Sequence, residues 1–383
     1  MLFWPHRQTG MTMSTESRNP FARMTPGKKN PMQADDAITP MYVCPRTHAP
    51  LRLDGDVLRA EAHDIVYPLR AGMPQFLRFG PAEDDRTFAQ LERLNRLARE
   101  NGWRPALRAV YGDNDGFIRY VTDAERASFI ELLPLTPDTD VLEIGPGLGQ
   151  FTALLARRAK SVCALEVVAG QAEFAAERCR QEGMTNVHLA VGGDDCRLPY
   201  GDTTFDLVVL NLVFEWCGSR SLEETHSDVQ RRLLAEMCRV LKPGGSLYLA
   251  TKNRFALRYL IGKTDEHCYN LRFGSALPRW FAQLLLHLRG HTRTPGKLYS
   301  HRTLKAMLGD AGFEKIDSFW ATPEMRNPTH YVRTDAASIR QARRTPGFVQ
   351  GEMRSTKLLM PLIPAFLVKY FTPGLAFLAT KRR

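Results

Sequence analysis

Between residues 139 and 250 short apolar runs alternate with stretches of helical periodicity. Val141–Ile144 reads as a strand, Phe151–Ala159 as a helix, Ser161–Val167 as a strand and Gln171–Glu182 as a helix. Val187–Val191 and Phe205–Val213 come next as strands, Val229–Val240 as a helix and Ser246–Ala250 as a strand. Runs of four to seven apolar residues without strict polar alternation belong to strands buried on both faces, and strand–helix alternation builds a parallel sheet with helices on both sides. Upstream, Phe88, Leu91, Leu94 and Leu97 fall at helical spacing within 83–100, and a further helical stretch precedes Pro134. Residues 41–80 carry strand-like stretches, and 1–40 are polar with Met at 1, 11, 13, 24 and 32, which reads as a flexible tail and an over-long start. The expected division is therefore a tail (1–40), a small β-rich unit (41–80), a helical linker (81–135) and an α/β domain (136–383). That last domain carries substrate-side insertions at 251–300 and 330–372. Gly374–Thr380 reads as a last, antiparallel strand with residues near 314–320 as its partner.

Two apolar stretches lie outside this alternation. Residues 278–289, PRWFAQLLLHLR, predict a helix with a broad apolar stripe bounded by Arg279 and Arg289, read as core or lid packing, with membrane-surface docking as the alternative. Leu358–Val368 is the most apolar run, but it has 11 residues and two prolines, against about 20 residues needed to span a bilayer. Nothing at the N-terminus has the length of a secretory h-region. Seven scattered cysteines without a CxxC read as reduced thiols, so the expected compartment is the cytoplasm. Lys plus Arg exceed Asp plus Glu by 52 to 41, a net +11, which favours anionic partners. Ten of these cations fall in the last 53 residues, against Asp335 and Glu352. Beside the 358–368 run they could form a face that meets anionic lipid or a lipid-linked substrate at the inner face of the membrane; a solvated surface is the alternative.

The chemistry concentrates at VLEIGPGLGQFT. A strand ends in Glu143, and Gly145, Gly147 and Gly149 stand at alternate positions before a helix begins. Glycine admits positive φ and lets a ligand approach the backbone, the helix start offers unpaired N–H groups, and ligands of open α/β sheets bind at the carboxyl ends of strands. The GxGxG spacing differs from GxGxxG, and no GxxxxGK occurs. The second strand ends in Glu166, 17 residues after Gly149, where a carboxylate can accept two ribose hydroxyls. Asp194 and Asp195 come after the third strand, Asn211 ends the fourth, and a Pro243–Gly244–Gly245 turn precedes the fifth.

In order and spacing, E-I-G-P-G-L-G, the terminal Glu166, D-D-C-R-L-P-Y, F-D-L-V-V-L-N and L-K-P-G-G resemble the class I S-adenosylmethionine-dependent methyltransferases of the type 11 kind. The resemblance is close over 139–250 and looser to 383. It implies a Rossmann-like seven-stranded sheet and S-adenosyl-L-methionine as cofactor. Glu143, Gly145, Gly147 and Gly149 would hold the methionine portion, Glu166 the ribose and Asp194 the adenine amine with Asp195 beside it. Asn211 and Leu212 would close the sulfonium pocket. Asp195 could equally be a turn residue. Residues 42–77, YVCPRTHAPL and IVYPLRAGMPQFL, resemble the small Trm112-like zinc ribbons, matching at Cys44, Tyr67, Pro68, Gly72, Pro74 and Leu77. Thr47 replaces the second cysteine, and Cys44, His48 and His63 leave fewer than the four ligands zinc takes, so a metal-free unit is expected.

Acceptor-side candidates lie after the fourth and fifth strands. The Asp265–Glu266–His267 cluster is the most base-like, with a carboxylate able to orient the imidazole of His267; an ordinary surface loop is the alternative. Asn253–Arg254 reads either as a substrate-positioning pair or as loop order, and Glu215–Trp216 as a pocket wall or core. The expected activity is methyl transfer to a small-molecule, glycan or lipid-linked acceptor, with oxygen favoured. An RNA or protein methyltransferase is the alternative, weighed against by Asn211–Leu212–Val213–Phe214 standing where an NPPY-type tetrapeptide would be and by the lack of a known RNA-module motif. A non-catalytic cofactor-binding subunit is the third class.

Overall fold

The computed structural model describes residues 42–383 except 61–63, 82, 324, 329, 346–347 and 349–353; the tail 1–40 and His63 lie outside the described residues. Four short antiparallel strands open the chain: β1 (Leu51–Asp54), β2 (Val57–Ala60), β3 (Val66–Arg70) and β4 (Met73–Pro74). Next come helices at Asp85–Asn101, Trp103–Tyr111 and Asp115–Thr122 and a 3-10 segment at Ala124–Leu132. The first helix starts where the Asp84 carboxylate accepts from the Thr87 N–H at 2.8 Å, a side-chain cap that satisfies one of its orphan donors.

The main sheet then runs through β5 (Asp140–Ile144), β6 (Ser161–Glu166), β7 (Val187–Val191), β8 (Phe205–Asn211) and β9 (Leu241–Lys252). A two-residue ladder of β10 (Thr264–Asp265) and β11 (Leu271–Arg272) lies in the first insertion, and β12 (Phe313–Thr322), β13 (His330–Arg333) and β14 (Gly374–Lys381) complete the strands. Their order is β13-β12-β14-β9-β8-β5-β6-β7. Strands β9 to β7 pair in parallel, and β14 inserts antiparallel between β9 and β12. This is the Rossmann-like α/β fold, with one correction: among the described residues the sheet has eight strands, not seven. The eighth is β13, a short edge strand paired with the end of β12 and supplied by the second insertion.

Successive strand residues face opposite cores. Val141, Leu207 and Val209 pack with Phe129 and Leu155 on one face, while Leu142, Val208 and Leu210 pack with Leu233, Met237 and Leu304 on the other. Both faces of each strand are therefore apolar, which is why the runs read without alternation. The N-terminal unit joins this second core through Tyr42, Tyr67 and Phe76, and the Tyr42 ring lies 5.5 Å from Tyr200. Its last residues also extend the sheet: Gln75 bridges Val191 in parallel, and the Phe76 N–H donates to the Val191 carbonyl at 2.6 Å.

Candidate active site

The strand order reverses between β5 and β8, and a cavity of about 210 Å³ opens at that switch point. Its sheet side is Gly145, Gly147, Gln150, Asn211, Leu212 and Val213. Its roof is Leu91, Tyr111, Phe117, Tyr120 and Arg126 from the helical linker. A second cavity, about 270 Å³, lies in the seam between Tyr42, Met73 and the helix Ala169–Gln181, away from these loops.

The three glycines serve different purposes. All have positive φ, 73° at Gly145, 57° at Gly147 and 72° at Gly149. A Cβ on Gly145 would lie 2.4 Å from Val213 Cγ2, and one on Gly149 would lie 2.9 Å from Ala175 Cβ. These two let a neighbouring loop and helix close in. A Cβ on Gly147 would meet nothing nearer than Gln171 Oε1 at 3.9 Å, so Gly147 leaves room for a ligand.

The loop is held by carboxylates. Glu166 Oε2 accepts from the Gly147 N–H at 2.9 Å, and Oε1 from the Val167 and Val168 N–H groups at 2.8 and 3.0 Å. Burial pushes its carboxyl up, and these three donors oppose that. Glu143 is buried and accepts from the Thr152 hydroxyl at 2.6 Å; burial and the nearby Glu166 charge push it up to about 7. Asn211 Oδ1 is buried without a partner at the cavity wall, a position that a donor on a ligand would satisfy. Leu212 beside it has φ 59°, a strained backbone for a side chain of its size.

Asp194 is placed differently from Glu166. Its side chain is 0% exposed and accepts backbone N–H groups of the N-terminal unit: Arg78 N at 3.0 and 3.1 Å, and Phe79 N at 2.7 Å. Arg220 straps the same corner, donating to the Phe79, Gly80 and Pro81 carbonyls. Asp195 accepts from the Arg197 N–H at 3.1 Å, and Arg78 and Arg197 stand 3.7 and 3.4 Å from its other oxygen; burial outweighs them and raises its carboxyl.

Beyond β8 and β9 lies a buried polar cluster. His267 and Asp265 are each 0% exposed; His267 Nδ1 is 2.8 Å from Asp265 Oδ1, and the same oxygen accepts the His267 N–H at 3.0 Å. With Nδ1 so paired, Nε2 is left buried and without a partner. Burial lowers the imidazole from its ordinary value, and Asp265 works against that. The Trp216 ring packs 4.5 Å from the His267 ring, one 3-10 turn beyond Val213 on the cavity wall. Glu215 is buried and accepts from the Thr251 hydroxyl at 2.8 Å. Lys252 pairs with Glu266, which Arg326 also approaches at 3.2 Å; burial, with Arg326 and Arg258 nearby, lowers the ammonium to about 7.

The structure thus brings Gly145, Gly147 and Asn211 to one cavity and sets Glu143 and Glu166 behind it. His267 is not among the residues lining the cavity, and neither is Trp216, against which its ring packs. Asn253 and Arg254 order loops: Asn253 donates to the Tyr370 and Thr372 carbonyls, Arg254 to those of Ser275 and Leu277. Of the possible zinc ligands within the described residues, Cys44 Sγ lies 3.2 Å from the Tyr67 hydroxyl and His48 Nε2 3.9 Å from Glu236. Among the described residues, Asp265, Glu266 and His267 are the group whose ligand atoms gather within 4.8 Å, and the internal pairs above already engage them. Sequence reasoning missed Arg126, which is buried at the cavity, donates to the Tyr120 and Arg326 carbonyls and to Gln150, and lies 3.4 Å from the Tyr120 ring centre. It also missed Lys252. A lysine closing the apolar run of β9 was the available signal for Lys252, whereas Arg126 stands among Asp123, Glu125 and Ser128 and carries none.

Comparison with known proteins agrees with this geometry. Residues 142–249 match the family described as a methyltransferase domain. Over that segment the chain is similar to a methyltransferase domain, and S-adenosyl-L-methionine is the cofactor. More particularly, the chain is similar to the biotin biosynthesis bifunctional protein BioHC of Cellvibrio japonicus, 35% identical over 33% of this chain and 22% of that one. It is also similar to malonyl-[acyl-carrier protein] O-methyltransferase of Methylococcus capsulatus, 32% identical over 36% and 48%. The ubiquinone/menaquinone biosynthesis C-methyltransferase UbiE of Citrobacter koseri is 27% identical over 47% and 68%. The chain therefore spans less than half the length of the first two relatives. The residues present fit the cofactor: an open glycine at Gly147, an orphaned acceptor at Asn211, and a buried carboxylate at Glu166 with one lone pair to spare on Oε2.

Proposed function

We propose that this protein is a cytoplasmic methyltransferase acting on a small-molecule, glycan or lipid-linked acceptor, with an oxygen as the atom methylated. The cofactor, when bound, supplies a methyl carbon already made electrophilic by its sulfonium charge. Gly145, Gly147 and Gly149 shape the loop around the methionine portion, Glu143 fixes the start of the helix after it, and Glu166 accepts from the ribose. Asn211 Oδ1 takes a donor from the ligand. Asp194 with Asp195 receives the adenine edge, which requires the Arg78 and Phe79 amides to share or yield the Asp194 carboxylate. We also read residues 42–77 as a Trm112-like unit.

His267 is the proposed base, and the observation that carries it is the unpartnered, buried Nε2 behind a 2.8 Å bond from Nδ1 to Asp265. Asp265 fixes the tautomer that leaves Nε2 as acceptor, and burial keeps the ring neutral, ready to take a hydroxyl proton. The relatives named above, an O-methyltransferase and a quinone C-methyltransferase, support an acceptor that is a small or carrier-linked molecule. The alternative, an RNA or protein acceptor, draws on the +11 charge; it requires RNA affinity that falls steeply with salt. The deciding experiment is mass spectrometry of metabolites and lipids from a deletion strain. Species lighter by one methyl group are expected among small or lipid-linked molecules, and an unmethylated RNA or protein with an unchanged metabolome would overturn the proposal.

A further inference from the structure

The helix Arg279–His287 has two apolar sides. Ala282 and Leu286 turn inward, and Leu286 joins Cys268 and Leu271 in a small core. Trp280, Leu284 and Leu288 fall at i, i+4 and i+8 on another stripe, where Trp280 is 72% and Leu288 74% exposed. The apolar pattern of this segment is thus broader than its packing uses.

The exposed stripe does not stand alone. Helix Arg279–His287 comes after the loop bearing Phe273, whose exposed ring closes on Gly262 beside the exposed Leu260 and Ile261. The helix Leu257–Leu260 packs against the helix Arg354–Leu359 of the second insertion. There Leu358 and Leu362 are 71% and 78% exposed, and Phe366 is exposed as well. The two insertions meet at a buried cluster of Trp320, Met360 and Val368, against which Leu257 packs as do Ile363, Ala365 and Phe371, and the Leu257 N–H donates to the Phe371 carbonyl at 3.1 Å. One apolar face therefore crosses both insertions, far beyond the scattered exposed residues of an ordinary soluble surface.

Its charge has one sign. Lys263, Arg272, Arg289 and Lys357 are exposed along it. Between 257 and 289 the only acids are Asp265, buried against His267, and Glu266, paired with Lys252; between 354 and 370 there is none. No helix among the described residues is long and apolar enough to cross a membrane. A rim of exposed cations around exposed Trp, Leu and Phe matches the interface of an anionic bilayer, where aromatic rings sit at headgroup depth and each cation adds attraction.

We propose that this face docks on the surface of an anionic phospholipid bilayer. It stands apart from the reading of the cofactor site, and it would give that site an acceptor whose apolar part remains in the membrane. The test is flotation of the full chain with vesicles of phosphatidylcholine alone or of phosphatidylcholine mixed with phosphatidylglycerol. Binding to the mixed vesicles is expected, weakening as salt rises. The double variant Trp280→Glu, Leu288→Glu should bind at least tenfold more weakly with unchanged thermal denaturation and unchanged S-adenosyl-L-methionine affinity by calorimetry. Lys263→Gln and Arg272→Gln should each cost about fivefold. Equal recovery with the two vesicle types, or wild-type binding by the double variant, would overturn the proposal. So would light scattering that shows a dimer dissociated by Leu288→Glu in a chain that floats with neither vesicle. Cofactor affinity lost with vesicle binding intact would count against the reading of the cavity and leave the docking face standing.

Discussion

The proposed cofactor cradle and the proposed acceptor side are built in opposite ways. The cradle uses backbone: glycines with positive φ, N–H groups received by strand-end carboxylates, and one orphaned amide oxygen, all within 143–213. The acceptor side uses side chains from distant segments: Glu215 just past β8, Lys252 at the end of β9, Asp265 and His267 in the first insertion, and Arg326 after β12. A shared ligand needs a fixed backbone, whereas a particular acceptor needs particular side chains. The cradle should therefore tolerate little change in its geometry, and the acceptor side should tolerate change in fold while losing chemistry.

The sharpest separation is His267→Ala. Turnover should fall roughly a hundred- to ten-thousandfold with cofactor affinity by calorimetry unchanged, and unaltered turnover would remove His267 as base. Next comes Asp194→Ala, which removes the acceptor of the Arg78 and Phe79 amides. Leaving these part-buried donors without their acceptor costs at most about 1–3 kcal/mol each, so the melting temperature should drop together with cofactor affinity; loss of affinity alone would separate the carboxylate from the seam. Third, Gly149→Ala forces a Cβ against Ala175 and should lower the melting temperature, whereas Gly147→Ala should mainly weaken cofactor binding, both losing about 1–2 kcal/mol to the left-handed backbone. If the two variants behave alike, the distinction between packing glycine and cradle glycine fails.

The smallest effect is in pH. His267 is held below its ordinary value, and burial takes His226 and His301 down to about 4. The unfolded chain binds these protons first, so the stability these rings contribute is whole above about pH 6.5. It is lost as pH falls towards 4. Thermal denaturation across that range should show it, and His301→Gln should flatten the slope. The rate should fall on the same acid side, because a protonated His267 cannot accept.

The parallel sheet was legible because β5 to β9 are buried on both faces, so their apolar runs carry the whole signal. β13 was not, since HYVR has neither an apolar run nor a turn signal and exists only by pairing with β12. Gly145, Gly147 and Gly149 were legible because positive φ is a local demand. The partner of Asp194 was not: Arg78 and Phe79 lie more than a hundred residues away and act through backbone N–H groups, which any residue type but proline supplies. The inward side of Arg279–His287 was readable from its stripe, but periodicity could not tell which of two apolar sides the core would claim.

The pairing of Gln75 and Phe76 with Val191 also decides where the chain can be cut. A fragment beginning at residue 136 would bare the Val191 carbonyl at the end of the outer rim of Val187–Val191, a place where a sister molecule could start to add its own strand. Such a fragment should self-associate at that corner, so the strand residues up to Phe76 serve as the stopper that keeps the chain a discrete particle.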